Sequence, residues 1–205
     1  MPVSINRSVL MKSLKTFDLS SLKDQALQQA QEEMSKIKQE LLEDYNDHPV
    51  TKELEAGADS ENISQTLNGI GNLTTYIGFQ EGSNPTQPVR DKLKTVTLNP
   101  KGRVSNNDNN LSFEFDVVAP SIEEIESVGS LPFEQGNSWI RGIENGISGF
   151  GAYIYGRMFK NSRSGKGLQG RRTFRQGNFR PVSYMNEIMN KFYTKIKRWN
   201  HKLII

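Results

Sequence analysis

Leu111-Ser112-Phe113-Glu114-Phe115-Asp116-Val117-Val118 is the stretch on which the fold turns. Leu111, Phe113, Phe115 and Val117 alternate with Ser112, Glu114 and Asp116, the period of two that a half-buried β-strand requires. Residues 94–98 alternate in the same way, so the two segments are expected to pair as a hairpin, with residues 100–110 as a long polar tip. Outward from the hairpin the period changes. Upstream, Leu27, Ala30, Met34, Ile37, Leu41 and Tyr45 step by three or four, which predicts an amphipathic helix over 22–45, with Ser21 and Asp24 as its start signal. Downstream, Pro120-Ser121 opens a short helix, Ser121 and Glu124 standing at capping-box spacing. Beyond Pro181, Tyr184, Met185, Ile188, Met189, Phe192, Ile196 and Trp199 trace a second amphipathic helix, its polar face made basic by Lys191, Lys195, Lys197 and Arg198. The expected fold class is α+β: a small antiparallel β-sheet with a long hairpin packed against an N-terminal and a C-terminal amphipathic helix, plus extended loops and arms.

The same pass divides the chain into an arm (1–20), one α+β domain (21–199) and a short tail (200–205). Within the domain, 47–88 reads as a long insertion and 157–180 as a basic loop. The insertion is polar and rich in Gly and Asn, and a stretch of that length without elements of its own is uncommon. Its apolar cluster, Leu73, Tyr76, Ile77 and Phe79, is therefore expected to pack around a small helix or strand. Residues 139–155 hold the most distinctive apolar set, with helical spacing in the first half and a strand-like run, Tyr153-Ile154-Tyr155, in the second. An apolar fraction of 35%, with 17 Gly and 8 Pro in 205 residues, implies a modest core and segments that order against partners.

Charge is partitioned along the chain. Through residue 156 there are 13 basic and 22 acidic residues; from Arg157 onward there are 13 basic and 1 acidic. Arg157, Lys160, Arg163, Lys166, Arg171, Arg172, Arg175 and Arg180 fall within one stretch that has no acidic residue. Such separation points to a surface that meets a polyanion, or the acidic part of a second copy of the chain. Phe159, Phe174 and Phe179 punctuate the stretch and suit either role, by stacking on bases or by anchoring on a protein surface. A non-enzymatic nucleic-acid-binding protein that uses this basic arm is the alternative reading.

Catalytic chemistry finds little support. The run Asn161-Ser162-Arg163-Ser164-Gly165-Lys166-Gly167 misses the phosphate-loop pattern, which needs Gly where Lys160 stands and Ser or Thr where Gly167 stands. The absence of cysteine removes disulfides, thiolate metal sites and a Cys nucleophile together. His48 and His201 have no adjacent ligand set, so no metal and no cofactor is expected. Glu123, Glu124 and Glu126 read as the solvated face of a short helix. Glu144, among apolar residues and glycines, reads as a partner of Arg141 or of a neighbour's basic arm before it reads as a general acid. No apolar run approaches the roughly 20 residues of a membrane span, and no apolar signal-peptide centre follows Met1, so a membrane role is not expected.

The order of elements resembles the neck and tail-completion proteins of tailed bacteriophages. The residues carrying the resemblance are His48-Pro49-Val50-Thr51-Lys52-Glu53-Leu54, 72–79, 138–149, Ser162-Arg163-Ser164-Gly165 and Phe179-Arg180-Pro181. The resemblance implies a structural virion protein, assembled in the host cytoplasm, that forms a hexameric or dodecameric ring at the head–tail junction around the DNA channel. Its implied partners are the portal or connector, the tail terminator or tail tube proteins, and packaged genomic DNA. Trp139, Arg141 and Glu144 become candidates for subunit packing, and the eight basic residues become candidates for an interface or the channel. In that family the stretch matching residues 143–146 is usually a strand, whereas Ile140-Arg141-Gly142-Ile143-Glu144-Asn145-Gly146 here leaves strand and helix both open.

Overall fold

One helix of 29 residues, α1 (Leu19–Asp47), spans the fold in this computed structural model. After it come α2 (Pro49–Ala56), a 3-10 turn (Gly57–Asp59), α3 (Leu73–Ile77) and α4 (Gln87–Leu93). The hairpin strands β1 (Thr97–Asn107) and β2 (Asn110–Val118) follow, then α5 (Ile122–Val128). The last part runs β3 (Ser130–Leu131), β4 (Glu134–Ser138), α6 (Trp139–Glu144), β5 (Tyr153–Tyr155), β6 (Leu168–Gly170) and α7 (Met185–Asn200). The structure describes residues 19–69, 71–107, 110–132, 134–147, 153–155, 168–170 and 179–200. Among these the fold is α+β, with three antiparallel strand pairs, β1–β2, β3–β4 and β5–β6.

Helix α1 turns Ala26, Ala30, Met34, Ile37, Leu41 and Tyr45 into the core, a 4-4-3-4-4 stripe along one face. Ala26 lies on that stripe, while Leu27 is only half-buried. The helix is already formed at Leu19, so Ser21 does not start it. A serine cap is worth about 1 kcal/mol, and adding turns to an existing helix overrides that local preference. Helix α7 lies against α1 and buries Met185, Ile188, Met189, Phe192 and Trp199, with Tyr184 buried just before it and Ile196 at the edge. Lys195 meets Glu40 at 2.8 Å and Asp44 at 3.2 Å, and Lys191 meets Glu187 at 2.8 Å one turn away. Part of the basic face of α7 therefore closes against acidic residues of its own chain.

The polar segment 47–88 carries three helices and supplies Val50, Leu54, Leu67, Leu73, Ile77 and Phe79 to the core. It is held by one carboxylate. Glu53 has no exposed surface. Its oxygens accept from Asn62 Nδ2 at 2.9 and 3.1 Å, Ser64 N at 2.8 Å, Ser64 Oγ at 2.6 Å and Leu73 N at 2.7 Å. A buried carboxylate is tolerated only when its lone pairs are filled in this way. Asn62 Oδ1 extends the network to Leu67 N and Gly69 N. Asn72 caps α3 through a 2.8 Å bond from Thr75 N.

The hairpin differs from its sequence reading at both ends. Lys94 caps α4, and β1 begins at Thr97. Residues expected to form a polar tip continue the ladder instead, with Val104 opposite Phe113 and Asn107 opposite Asn110. The register shifts between Pro100 and Val104, where Pro100 has no N–H for the ladder. Leu98, Phe115 and Val117 pack on the core, and Lys101 pairs with Asp116 across the strands at 2.8 Å. Polar side chains misled the reading because strand pairing, which needs no alternation, sets the geometry of the outer ribbon. The short helix α5 follows its reading at the cap, where Ser121 Oγ accepts from Glu124 N at 3.2 Å.

Glu53→Gln turns one acceptor into a donor facing an N–H, so it is expected to cost about 2–3 kcal/mol in urea unfolding. Glu43→Gln, on the exposed face of α1, is expected to stay within about 0.5 kcal/mol.

Candidate functional site

In the sequence, the basic stretch lies between α6 and α7. Ser138 Oγ caps α6 by accepting from Ile140 N at 3.2 Å. Residues 139–144 are therefore helical, which decides between the helix and the strand that the sequence left open there. Trp139 is 1% exposed, edge-on to Phe79 at 6.3 Å and 6.0 Å from Tyr184, so its burial is within its own chain. The helix ends in a Schellman motif: Gly146 N bonds Ile143 O at 3.1 Å and Ile147 N bonds Gly142 O at 2.6 Å. Ile147 is buried at φ +59°, a conformation β-branched residues avoid. Backbone of this kind costs about 1–3 kcal/mol and persists where the surrounding packing dictates it.

Phe179 and Val182, after the basic stretch, lie against the end of α6. A Cβ on Gly146 would lie 2.3 Å from the Phe179 carbonyl oxygen, and Val182 N reaches Ile143 O at 3.4 Å. Phe179 sits edge-on to Tyr76 of α3 at 5.9 Å. Strands β5 and β6 pair Tyr153 with Gly170 and Tyr155 with Leu168, beside α3. In the sequence, Arg157, Lys160, Arg163 and Lys166 connect these strands, and Arg171, Arg172 and Arg175 lie between β6 and Phe179. Those seven residues lie outside the described residues, as do Phe159, Phe174, residues 161–167, His201 and residues 1–18. Arg180 is described and exposed.

Glu144 and Arg141 do not pair. The Glu144 carboxylate accepts from Tyr184 N at 3.2 Å, from Asn186 N at 2.7 Å and from Asn186 Nδ2, so it holds the N-terminus of α7. Arg141 instead donates through Nε to Glu126 Oε2 at 3.0 Å. Glu126 is 8% exposed, which corrects its reading as part of a solvated face; Glu123 and Glu124 are exposed as expected. Both partners were hidden from the sequence because they come from other elements.

An acidic cleft of about 660 Å³ opens between the end of α2, the 3-10 turn and the turn before α4. Glu55, Asp59 and Glu81 line it with Ser83, Asn84 and Arg90. The Arg90 guanidinium is already engaged: Nε donates to Asn46 at 2.9 Å, Nη1 to Gln87 at 2.9 Å, and Nη2 pairs with Glu55. Behind the wall, the fully buried Thr86 hydroxyl lies 2.8 Å from Glu55 Oε1 and 2.7 Å from Asn84 Oδ1. One hydroxyl proton is shared between two acceptors there, and Asn84 Oδ1 also accepts from Gln87 N at 3.1 Å. Tyr45, whose hydroxyl donates to Thr86 O at 2.9 Å, underlies Arg90, with the guanidinium 5.7 Å from the ring centre.

His48 joins α1 to α2 and caps α2, its Nδ1 accepting from Val50 N at 3.2 Å, with its ring 4.7 Å from Tyr184. Burial lowers its pKa below the ordinary 6.5; the charge of Glu187 and a hydrogen bond to the Ser183 backbone oppose this, and Lys191 adds to it. Burial also raises the hydroxyl pKa of Tyr45 and of Tyr184, whose hydroxyl lies 2.7 Å from Thr51 Oγ1. His48 followed by Pro49 at the first helical position is a helix start that the sequence offered and the periodicity reading passed over. Among the described residues no group of three or more His, Cys, Asp or Glu is placed to hold a metal, and no helix is long and apolar enough to cross a membrane. No protein-family model, curated protein or solved structure matches the chain.

Gly146→Ala adds a Cβ against a backbone carbonyl at positive φ, and is expected to cost about 2–4 kcal/mol in urea unfolding. For His48 the folded state favours the neutral ring. Its contribution is complete above the ordinary value of 6.5 and is lost as pH falls through the lowered folded pKa. Unfolding free energy is expected to decline on acidification below that value. In His48→Asn, which keeps a capping oxygen, that part of the decline should vanish.

Proposed function

We propose that this chain is a structural, non-enzymatic virion protein that forms a ring at the head–tail junction of a tailed bacteriophage, joining the portal or connector to the tail. The observation that carries the reading is the charge partition, with a basic segment set against an acid-rich body. In a closed ring, each subunit offers one surface to a neighbour and a different surface to the next, and opposite charges on the two favour head-to-tail closure. A modest core with long extensions suits such a subunit, because neighbours supply part of its stability. The same basic residues facing a central channel would meet packaged DNA, and the two roles are compatible.

Immunogold electron microscopy with antibody raised to this chain tests the proposal. Label confined to the head–tail joint is the expected result. Unlabelled particles, with the protein found only in the infected-cell lysate, would overturn it. Replacing the Arg171-Arg172 pair by Gln should lower the yield of joined particles. If isolated protein binds duplex DNA steeply less well as salt rises while those particles join normally, the nucleic-acid reading takes its place.

A further inference from the structure

We infer that the outer face of α7 is a binding surface for the phosphate backbone of duplex DNA, made by Asn190, Tyr193, Lys197 and Arg198. The inference does not rest on the ring-forming reading, and the surface is distinct from the segment 157–180.

The surface is defined by which cations of α7 the fold leaves open. Lys195 is closed against Glu40 and Asp44 of α1, and Lys191 against Glu187. Lys197 and Arg198 are exposed and meet no carboxylate among the described residues. Glu187, the one acidic residue of the helix, is already paired, and none follows it in the sequence. Cations in the last turn of a helix also offset its dipole, but that effect says nothing of the residues one turn earlier. There Tyr193 is 41% exposed, one of the few large side chains of its kind that the body leaves open, and its ring lies edge-on to the buried Phe192 at 5.4 Å. Asn190 is exposed three residues before it.

At 3.6 residues per turn, Asn190, Tyr193 and Lys197 fall in one stripe, with Arg198 beside Lys197, over a length of about 12 Å. Its donors are an amide, a phenol, an ammonium and a guanidinium, and none of them carries negative charge. Thr194, among them, is already spent, its hydroxyl donating to Asn190 O at 2.8 Å. Side chains of these types are the ones that contact phosphate oxygens on a duplex. A phosphate backbone offers regularly spaced acceptors and no donors, so it meets all four groups at once. Scattered carboxylates on a protein surface would answer the two cations alone.

The test titrates fluorescein-labelled duplex DNA of mixed sequence with the full chain at several salt concentrations. Lys197→Gln with Arg198→Gln is expected to weaken binding about tenfold at low salt, and to make the slope of log affinity against log salt shallower by about two. Lys36→Gln with Lys52→Gln removes the same charge from cations already matched by Glu33 and Asp47, and should leave binding near wild type. Tyr193→Phe, which deletes only a neutral donor, should weaken binding about threefold with the salt slope unchanged. Circular dichroism checks that all the variants are folded. Equal loss with the two double variants would make the attraction a property of overall charge and overturn the surface. Unchanged binding with Lys197→Gln and Arg198→Gln would assign the DNA to the segment 157–180 and overturn it too. Polyglutamate competing as well as unlabelled duplex at equal charge would make an acidic protein the occupant, and absence of any binding by the wild-type chain would remove the surface outright. None of these outcomes moves the gold label, so the head–tail reading stands or falls separately.

Discussion

The carboxylate of Glu53 is sealed from water, and donors from Asn62, Ser64 and Leu73 converge on it. Those donors come from the polar stretch 47–88, which also sends Leu67, Leu73, Ile77 and Phe79 into the core. Each bond to a buried charged acceptor is worth more than one between neutral groups, and leaving that charge unpaired would be prohibitive. The stretch therefore closes around Glu53, and α3 takes its place as a consequence. From α3, Tyr76 meets Phe179 at the root of the basic segment. Phe79, just beyond the helix, meets Trp139 in α6. Loss of the one carboxylate would thus loosen the platform from which the basic segment departs.

Charge is handled differently in the two parts of the chain. Within the folded body, cations are matched locally: Arg90 with Glu55, Arg141 with Glu126, Lys195 with Glu40 and Asp44. Ion pairs on a surface contribute little to stability, so their chief effect is on which cations remain available. The cations from residue 157 to 180 have no acidic neighbour in sequence to quench them. Gly146, just after α6, and Phe179, just before Arg180, lie against each other.

The largest helices were legible because their evidence is local. The stripe from Ala30 to Tyr45 and that from Tyr184 to Trp199 each report a buried face through spacing alone, and both faces meet in the core. Strand β2 was legible for the same reason, as was the Ser121 cap. The outer half of β1 was not, since Lys101 to Asn107 carry no alternation and gain their strand geometry from a partner across the hairpin. Ser21 misled in the opposite direction, offering a plausible cap in the interior of a helix.

The candidate site divides along the same line. Periodicity and charge pattern are properties of neighbouring residues, so the sequence announced an α+β chain with two amphipathic helices, a hairpin and an arginine-rich segment. It could not announce that Glu144 belongs to the start of α7, that Arg141 belongs to Glu126, or that Glu55, Glu81 and Arg90 share a cleft. The pairs Arg141–Glu126 and Glu144–Asn186 join residues 15 and 42 positions apart. Carboxylates are chemically alike along the chain, and each acquires its role from whichever donors packing brings to it. That convergence is set by how the helices close on one another, a property of the folded whole that no local pattern carries.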